Sequence, residues 1–171
     1  YTRPRRFGKS MLTSMLAYYY SISEAENFEK IFKGLHVYDH PTPYKNKYYV
    51  LQFNFSGIET GSEVGIEEMN RQFSELVYMG VANCITRYKF GFEVNKDNSA
   101  PGILREFLTK FNQLEKENKI YIMIDEYDHF TNGILKGNAQ KFLDILGNSG
   151  FVRAFYEVIK ENLESLNPPI E

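Results

Sequence analysis

A tight glycine turn opens a helical pattern near the start of this chain, and a short apolar run ends in two carboxylates near its far end. The turn is Gly8-Lys9-Ser10. Met11, Leu12, Met15, Leu16 and Tyr19 follow at three- and four-residue spacing, so residues 9–20 read as an amphipathic helix. The run is Ile120-Tyr121-Ile122-Met123-Ile124, and Asp125-Glu126 follows it directly. A strand that is apolar on both faces suits the buried interior of a parallel sheet. Such a sheet needs helical cover, which the rest of the pattern supplies.

Residues 28–32 read as a short helical turn that stops at Gly34. Residues 38–47 carry Pro41 and Pro43 and read as a surface loop. Residues 48–55 are rich in aromatic and β-branched types and end at Ser56-Gly57, as a strand would. Two long stripes come next. One holds Ile66, Met69, Phe73, Leu76, Val77, Cys84, Ile85 and Tyr88; the other holds Ile103, Leu104, Phe107, Leu108, Phe111 and Leu114. Residues 91–102, polar and containing Pro101, read as the loop between them. Residues 131–138 read as a loop, and 139–146 and 151–166 as two helices before Pro168-Pro169. Strands alternating with helices predict an α/β fold, a parallel sheet with helices on both faces.

The 171 residues suffice for one domain with a sizeable core. A net charge of −2 gives no global reason to expect nucleic-acid binding, although basic residues cluster at the start. Cys84 is the only cysteine, which excludes an internal disulfide and a multi-cysteine metal site and fits a reducing compartment. No apolar run approaches the roughly 18 residues of a membrane span, and the basic N-terminus lacks a signal-peptide apolar core. The expected location is the cytoplasm, with no membrane partner.

The chemistry rests on the two ends of this pattern. A bound triphosphate needs backbone N–H groups turned inward, and a glycine lets the chain approach closely. A helix N-terminus adds partial positive charge. Lys9 can reach the β- and γ-phosphates, and the Ser10 hydroxyl can ligate Mg²⁺. In the pattern G-x-x-x-x-G-K-[ST] the first glycine would fall on Arg3. Read alone, the tripeptide is also compatible with a plain helix start, Ser10 lying near the cap. Asp125 would hold Mg²⁺ through water and Glu126 would polarise an attacking water, at the strand end where open α/β sheets bind ligands. Alone, the pair also fits two solvated carboxylates. In one chain and in this order, the two halves point to a nucleoside triphosphate.

Arg3, Arg5 and Arg6 either add positive charge around phosphates or form a solvated basic loop. Asp128 fits best as a loop-start residue that caps local backbone. His36, His40 and His129 show no metal-ligand spacing. The Tyr and Phe residues fall mostly on apolar stripes, so core packing explains them better than base stacking.

Thr2-Arg3-Pro4-Arg5-Arg6-Phe7-Gly8-Lys9-Ser10, followed by Met11-Leu12, and Ile124-Asp125-Glu126-Tyr127-Asp128 resemble the AAA-ATPase-like family of bacteria and archaea. Ile31-Phe32-Lys33-Gly34-Leu35, the run 48–57 and the helix 151–160 are similar to that family too, so the resemblance spans essentially the whole chain. It implies an ATP-binding P-loop domain of the additional-strand class. Arg3, Arg5, Arg6, Phe7, Gly8, Lys9, Ser10 and Met11 would form the nucleotide-binding loop. Ser10 and Asp125 would hold Mg²⁺, and Glu126 would be the catalytic residue. Arg3 in place of the first glycine is normal for the family. Many relatives carry a nuclease-like domain of the PD-(D/E)xK type at the C-terminus, through which nucleic acid could be a partner.

The chain starts with Tyr1 and enters the loop almost at once, where such a fold has an apolar strand first. A sensor strand after Leu166 is absent as well. Residues 1–171 therefore read as a partial P-loop domain whose first helix lacks part of its floor, leaving the isolated chain marginal in stability and weak in ATP binding. The leading functional expectation is ATP binding and hydrolysis that drives or gates an attached effector domain. The second is a nucleotide-binding switch or scaffold with little turnover. The third, a nucleic-acid-binding element built on the arginine cluster, is disfavoured by the net charge and by the lack of an aromatic-basic stripe.

Overall fold

The computed structural model describes residues 8–61, 63–115, 117–127, 130–132, 143–145, 147 and 150–166. Helix α1 spans Lys9–Tyr20, and a 3₁₀ turn, Ile22–Glu24, follows it. Two short helices come next, α2 at Phe28–Phe32 and α3 at His36–Asp39. Strand β1, Tyr48–Asn54, leads to the long helix α4, Ile66–Tyr88, and then to α5, Ala100–Leu114. Strand β2, Lys119–Asp125, and helix α6, Phe151–Leu166, complete the order. The fold is α/β, as the alternation of patterns predicts.

Among the described residues the sheet has two strands, which pair in parallel from Tyr48↔Lys119 to Asn54↔Asp125. Period-two alternation sends neighbouring side chains to opposite faces. On one face Val50 and Met123 pack with Ala17 of α1, and Leu16, Tyr20 and Tyr121 close around them. On the other, Leu51 and Phe53 join the main core with residues of α4, α5 and α6, and Ile120, Ile122 and Ile124 lie against it. Helices therefore cover both faces.

The main core is aromatic. Phe55 stacks on Phe73 with centroids 4.6 Å apart, and Phe155 meets Phe53 at 5.4 Å and Phe73 at 5.3 Å edge to face. Each of these side chains is fully buried, which stabilises by roughly 1.5–3 kcal/mol apiece before entropy is counted. Helix α4 reaches β1 at Gly80. A Cβ there would lie 2.6 Å from the Gln52 carbonyl oxygen and 2.7 Å from the Phe53 ring. Only glycine allows this approach.

A second contact fixes the far end of α1. The Tyr88 hydroxyl accepts the Val50 N–H at 2.9 Å and shares a hydrogen bond with Ser21 Oγ at 2.8 Å. Asn46 Nδ2 donates to the Ser21 carbonyl at 2.8 Å, and the Asn46 N–H donates to the Tyr19 carbonyl at 2.9 Å. Ser21 and Asn46 are the buried polar residues among those described, and both are partnered, as burial demands. The network ties the end of α1 to the start of β1 and the end of α4.

Several expectations change. Residues 38–47 are not all loop, because α3 takes in Tyr38 and Asp39. Helix α5 begins inside the expected loop, with Pro101 in its first turn, where a missing N–H costs nothing. Leu114, expected on the apolar stripe, is 57% exposed. Residues 131–132, expected as loop, are helical, as is Phe130 before them. Residues 133–142 and Pro168-Pro169 lie outside the described residues, and 143–145 are helical as expected. Strand β2 is half-buried along most of its length, with Met123 its buried residue. The apolar residues of α1 do find a floor in part: Leu16 packs on the Val50–Met123 face and Met15 on the Tyr19–Phe28–Phe32 cluster. Among the described residues no helix is long and apolar enough to cross a membrane.

Gly80→Ala should force α4 away from β1 and cost about 1–3 kcal/mol. Urea unfolding measures it, and an unchanged midpoint would refute the close-approach argument. Tyr88→Phe should cost a similar ~1–3 kcal/mol by leaving the Val50 N–H without its acceptor. Parallel melts of Tyr88→Phe and of an exposed control, Tyr44→Phe, separate that loss from a generic hydroxyl deletion.

Candidate functional site

The site is assembled from the first turn of α1 and the C-terminal ends of the two strands. Gly8 caps α1 with φ 74° and ψ 21°, a left-handed conformation natural to glycine. Its carbonyl accepts the Leu12 N–H at 2.9 Å and starts the helix. Among the described residues no side chain caps this end, and the first turn carries no acidic residue. The first-turn N–H groups have no partner within the helix, and its N-terminus carries partial positive charge.

Lys9 opens α1, and its side chain is outside the described part of the structure. Arg3, Arg5, Arg6 and Phe7 also lie outside the described residues, as do Asp128 and His129. Ser10 is exposed, and its carbonyl accepts the Ser14 hydroxyl at 2.9 Å. Met11 points to solvent at 68% exposure.

Parallel pairing ends both strands at the same level, with Asn54 opposite Asp125. The Phe55 N–H donates to the Asp125 carbonyl at 3.2 Å, extending the ladder by one bond. Asn54 Oδ1 accepts the Ser56 N–H at 2.9 Å. Asp125 Oδ1 accepts the Glu126 N–H at 3.0 Å. Glu126 has a positive φ of 56°, and its carbonyl accepts the Phe130 N–H at 3.4 Å.

A cavity of about 460 Å³ joins these elements. Ser10, Thr13 and Ser14 line it from α1, Gln52, Phe53 and Asn54 from β1, and Met123 and Asp125 from β2. Helix α4 closes it with Leu76, Met79, Gly80 and Asn83. The structure thus brings Ser10 and Asp125, 115 positions apart in sequence, to one cavity. Glu126, half-buried, is not among its lining residues.

The donors here are oxygens: a hydroxyl from Ser10, a carboxylate from Asp125 and the carboxamide of Asn54. Among the described residues no group of three His, Cys, Asp or Glu could hold a metal by itself. Mg²⁺ does not need one, since it keeps several waters and is bound through one or two carboxylates plus substrate phosphates. The residues present therefore fit Mg²⁺ shared with a phosphate. Cys84 is no candidate nucleophile, because burial pushes its thiol up to about 12. Tyr127 packs edge to face on Tyr156 with centroids 5.4 Å apart, and burial raises both phenols.

Sequence reading missed Gln52, Asn54, Asn83, Thr13 and Ser14 as lining residues. Asn54 carried a usable signal, because two parallel strands that both end in polar residues bring those ends together. Asn83 carried none, since it lies within a long helix and reaches the cavity only through the close seating of α4.

Residues 1–168 match the model of the AAA-ATPase-like family, described as "Predicted AAA-ATPase". No curated protein and no solved structure matches the chain. With all but the last three of its 171 residues matched, the chain belongs to the AAA-ATPase-like family.

Proposed function

We propose that the chain binds Mg-ATP at the cavity between α1 and the strand ends, and that hydrolysis there drives or gates an attached effector domain. The observation that carries this reading is the meeting of Ser10 and Asp125 in one cavity beside the N-terminus of α1. Gly8 and the first turn of α1 cradle the phosphates with backbone N–H groups. Lys9 adds a charge-assisted contact to them, and the arginines at 3, 5 and 6, with Phe7, complete the loop. Ser10 and Asp125 hold the cation, and Met11 follows Ser10 in α1. Mg²⁺, when bound, neutralises charge developing on the transferred phosphoryl group. Glu126 orients and deprotonates the attacking water. The effector in this proposal is a C-terminal nuclease-like domain, which would meet nucleic acid on the protein's behalf.

One observation favours a second reading, a nucleotide-dependent switch with little turnover. Glu126 lies outside the lining of the cavity that holds Ser10 and Asp125. A water activated there must be within hydrogen-bond reach of its base, at about 2.6–3.2 Å.

Two variants separate these readings. Lys9→Ala should weaken binding of a fluorescent ATP analogue by about 1.5–3 kcal/mol, the loss of one charge-assisted contact. Equal affinity in the wild type and Lys9→Ala would end the phosphate assignment. Glu126→Gln should abolish phosphate release while preserving ATP affinity, because it keeps the shape and removes the base. Wild-type turnover in Glu126→Gln refutes the catalytic role, and absence of turnover in both proteins selects the switch.

A further inference from the structure

We propose that His36 and His40 form a two-imidazole site for a borderline divalent transition ion of the Zn²⁺ and Cu²⁺ class, on the turn α3 and independent of the Mg-ATP reading. Four positions apart in a loop implies no ligand geometry, and residues 38–47 read as loop in the sequence. The structure makes the segment a helical turn instead. Helix α3 runs from His36 to Asp39, and the His40 N–H closes it on the His36 carbonyl at 3.0 Å. On such a turn, residues four apart share one face, the spacing at which paired histidines grip zinc in helices. The two rings do meet, with centroids 4.7 Å apart and planes tilted by 41°.

That separation is the one a chelate needs. One nitrogen of each ring at about 2.0–2.1 Å from a metal, with about 90–109° between the bonds, puts the ring centroids about 4.5–5.2 Å apart. Both side chains are exposed, so each ring can turn a nitrogen toward an ion without disturbing the core. Among the described residues neither ring takes part in a hydrogen bond or an ion pair. Water completes the shell, because no group of three His, Cys, Asp or Glu is found among the described residues. Imidazole nitrogen favours Zn²⁺, Cu²⁺ and Ni²⁺ over the hard ions that suit an oxygen-lined cavity. The turn itself has something to gain. A single helical turn is costly to nucleate, and α3 has no side-chain cap among the described residues. Tyr38, between the two histidines, packs on the Tyr19–Phe28–Phe32 cluster, its ring stacked on Phe28 at 6.0 Å. An ion bridging His36 and His40 closes the turn from the solvent side, as Tyr38 holds it from within.

Titration calorimetry of the full chain with Zn²⁺ tests the site, in excess Mg²⁺ and above the ordinary imidazole pKa of about 6.5. The wild type should bind one Zn²⁺, and His36→Ala and His40→Ala should each weaken that binding by at least about tenfold, because either change breaks the chelate. The double variant should bind no better than the weaker single one. Two independent surface imidazoles would leave each single variant with wild-type affinity at its remaining ring, and that result overturns the proposal. So does wild-type affinity in the double variant, which places the ion elsewhere. The electron paramagnetic resonance spectrum of bound Cu²⁺ gives a readout within the wild type alone. It should show coupling to two nitrogens, reduced to one in either single variant, and a wild-type spectrum with one nitrogen overturns the site. If a variant fails to fold, this wild-type spectrum decides.

Discussion

The parallel ladder between β1 and β2 is the constraint from which the site follows. Because the strands run the same way and pair without offset from Tyr48↔Lys119 onward, their carboxyl ends stop together at Asn54 and Asp125. Parallel strands cannot be joined by a tight turn, so the chain between them must leave and return. It does so through α4 and α5, which bury the Leu51–Phe53–Phe55 face. The other face is left to α1. The same alternation that separates the two faces thus puts α1 on the side of Val50 and Met123. Its first turn then lies beside the strand ends.

Two local devices keep this geometry in place, and they act at opposite ends of α1. At the C-terminal end the Tyr88 hydroxyl and Asn46 satisfy the buried polar groups around Ser21. A buried polar network of this kind holds one arrangement, because any shift leaves donors unpaired. At the other end Gly8 starts the helix in a left-handed conformation, with no side-chain cap among the described residues. Gly80 links the two regions. By admitting β1 to close contact it brings Met79 and Asn83 to the cavity wall. Binding surface and core packing are therefore coupled through one missing methyl group.

The legibility of this chain in its sequence was uneven, for physical reasons. Helix α1, strand β1, helix α4 and helix α6 were readable to within a residue or so, because strong periodicity and glycine stops coincide there. The start of α5 was not, since Pro101 signals a loop as readily as a helix first turn. Strand β2 was found, but its burial was overestimated. Continuous apolar composition records what a strand can bury, whereas exposure depends on which neighbours pack beside it. In the cavity, Ser10 and Asp125 were legible from the sequence as candidates, and the structure brings both to its lining. Asn83 and Gln52 were not, because their place in the cavity depends on how a helix seats against a strand, and no local pattern encodes that.

On the two readings proposed for this site, Glu126 is where hydrolysis and switching part. Its backbone is held on both sides, by Asp125 Oδ1 at its N–H and by the buried Phe130 at its carbonyl. Any approach of its carboxylate to the cavity must then come from rotation of the side chain and not from movement of the strand end. On the proposed reading, hydrolysis requires that the bound nucleotide make the inward rotamer the favoured one, as catalytic contacts tighten once the ligand is in place. A nucleotide that binds without doing so leaves the carboxylate outside the cavity. The same fold is then a switch, with Asp125 still anchored and the cation still bound.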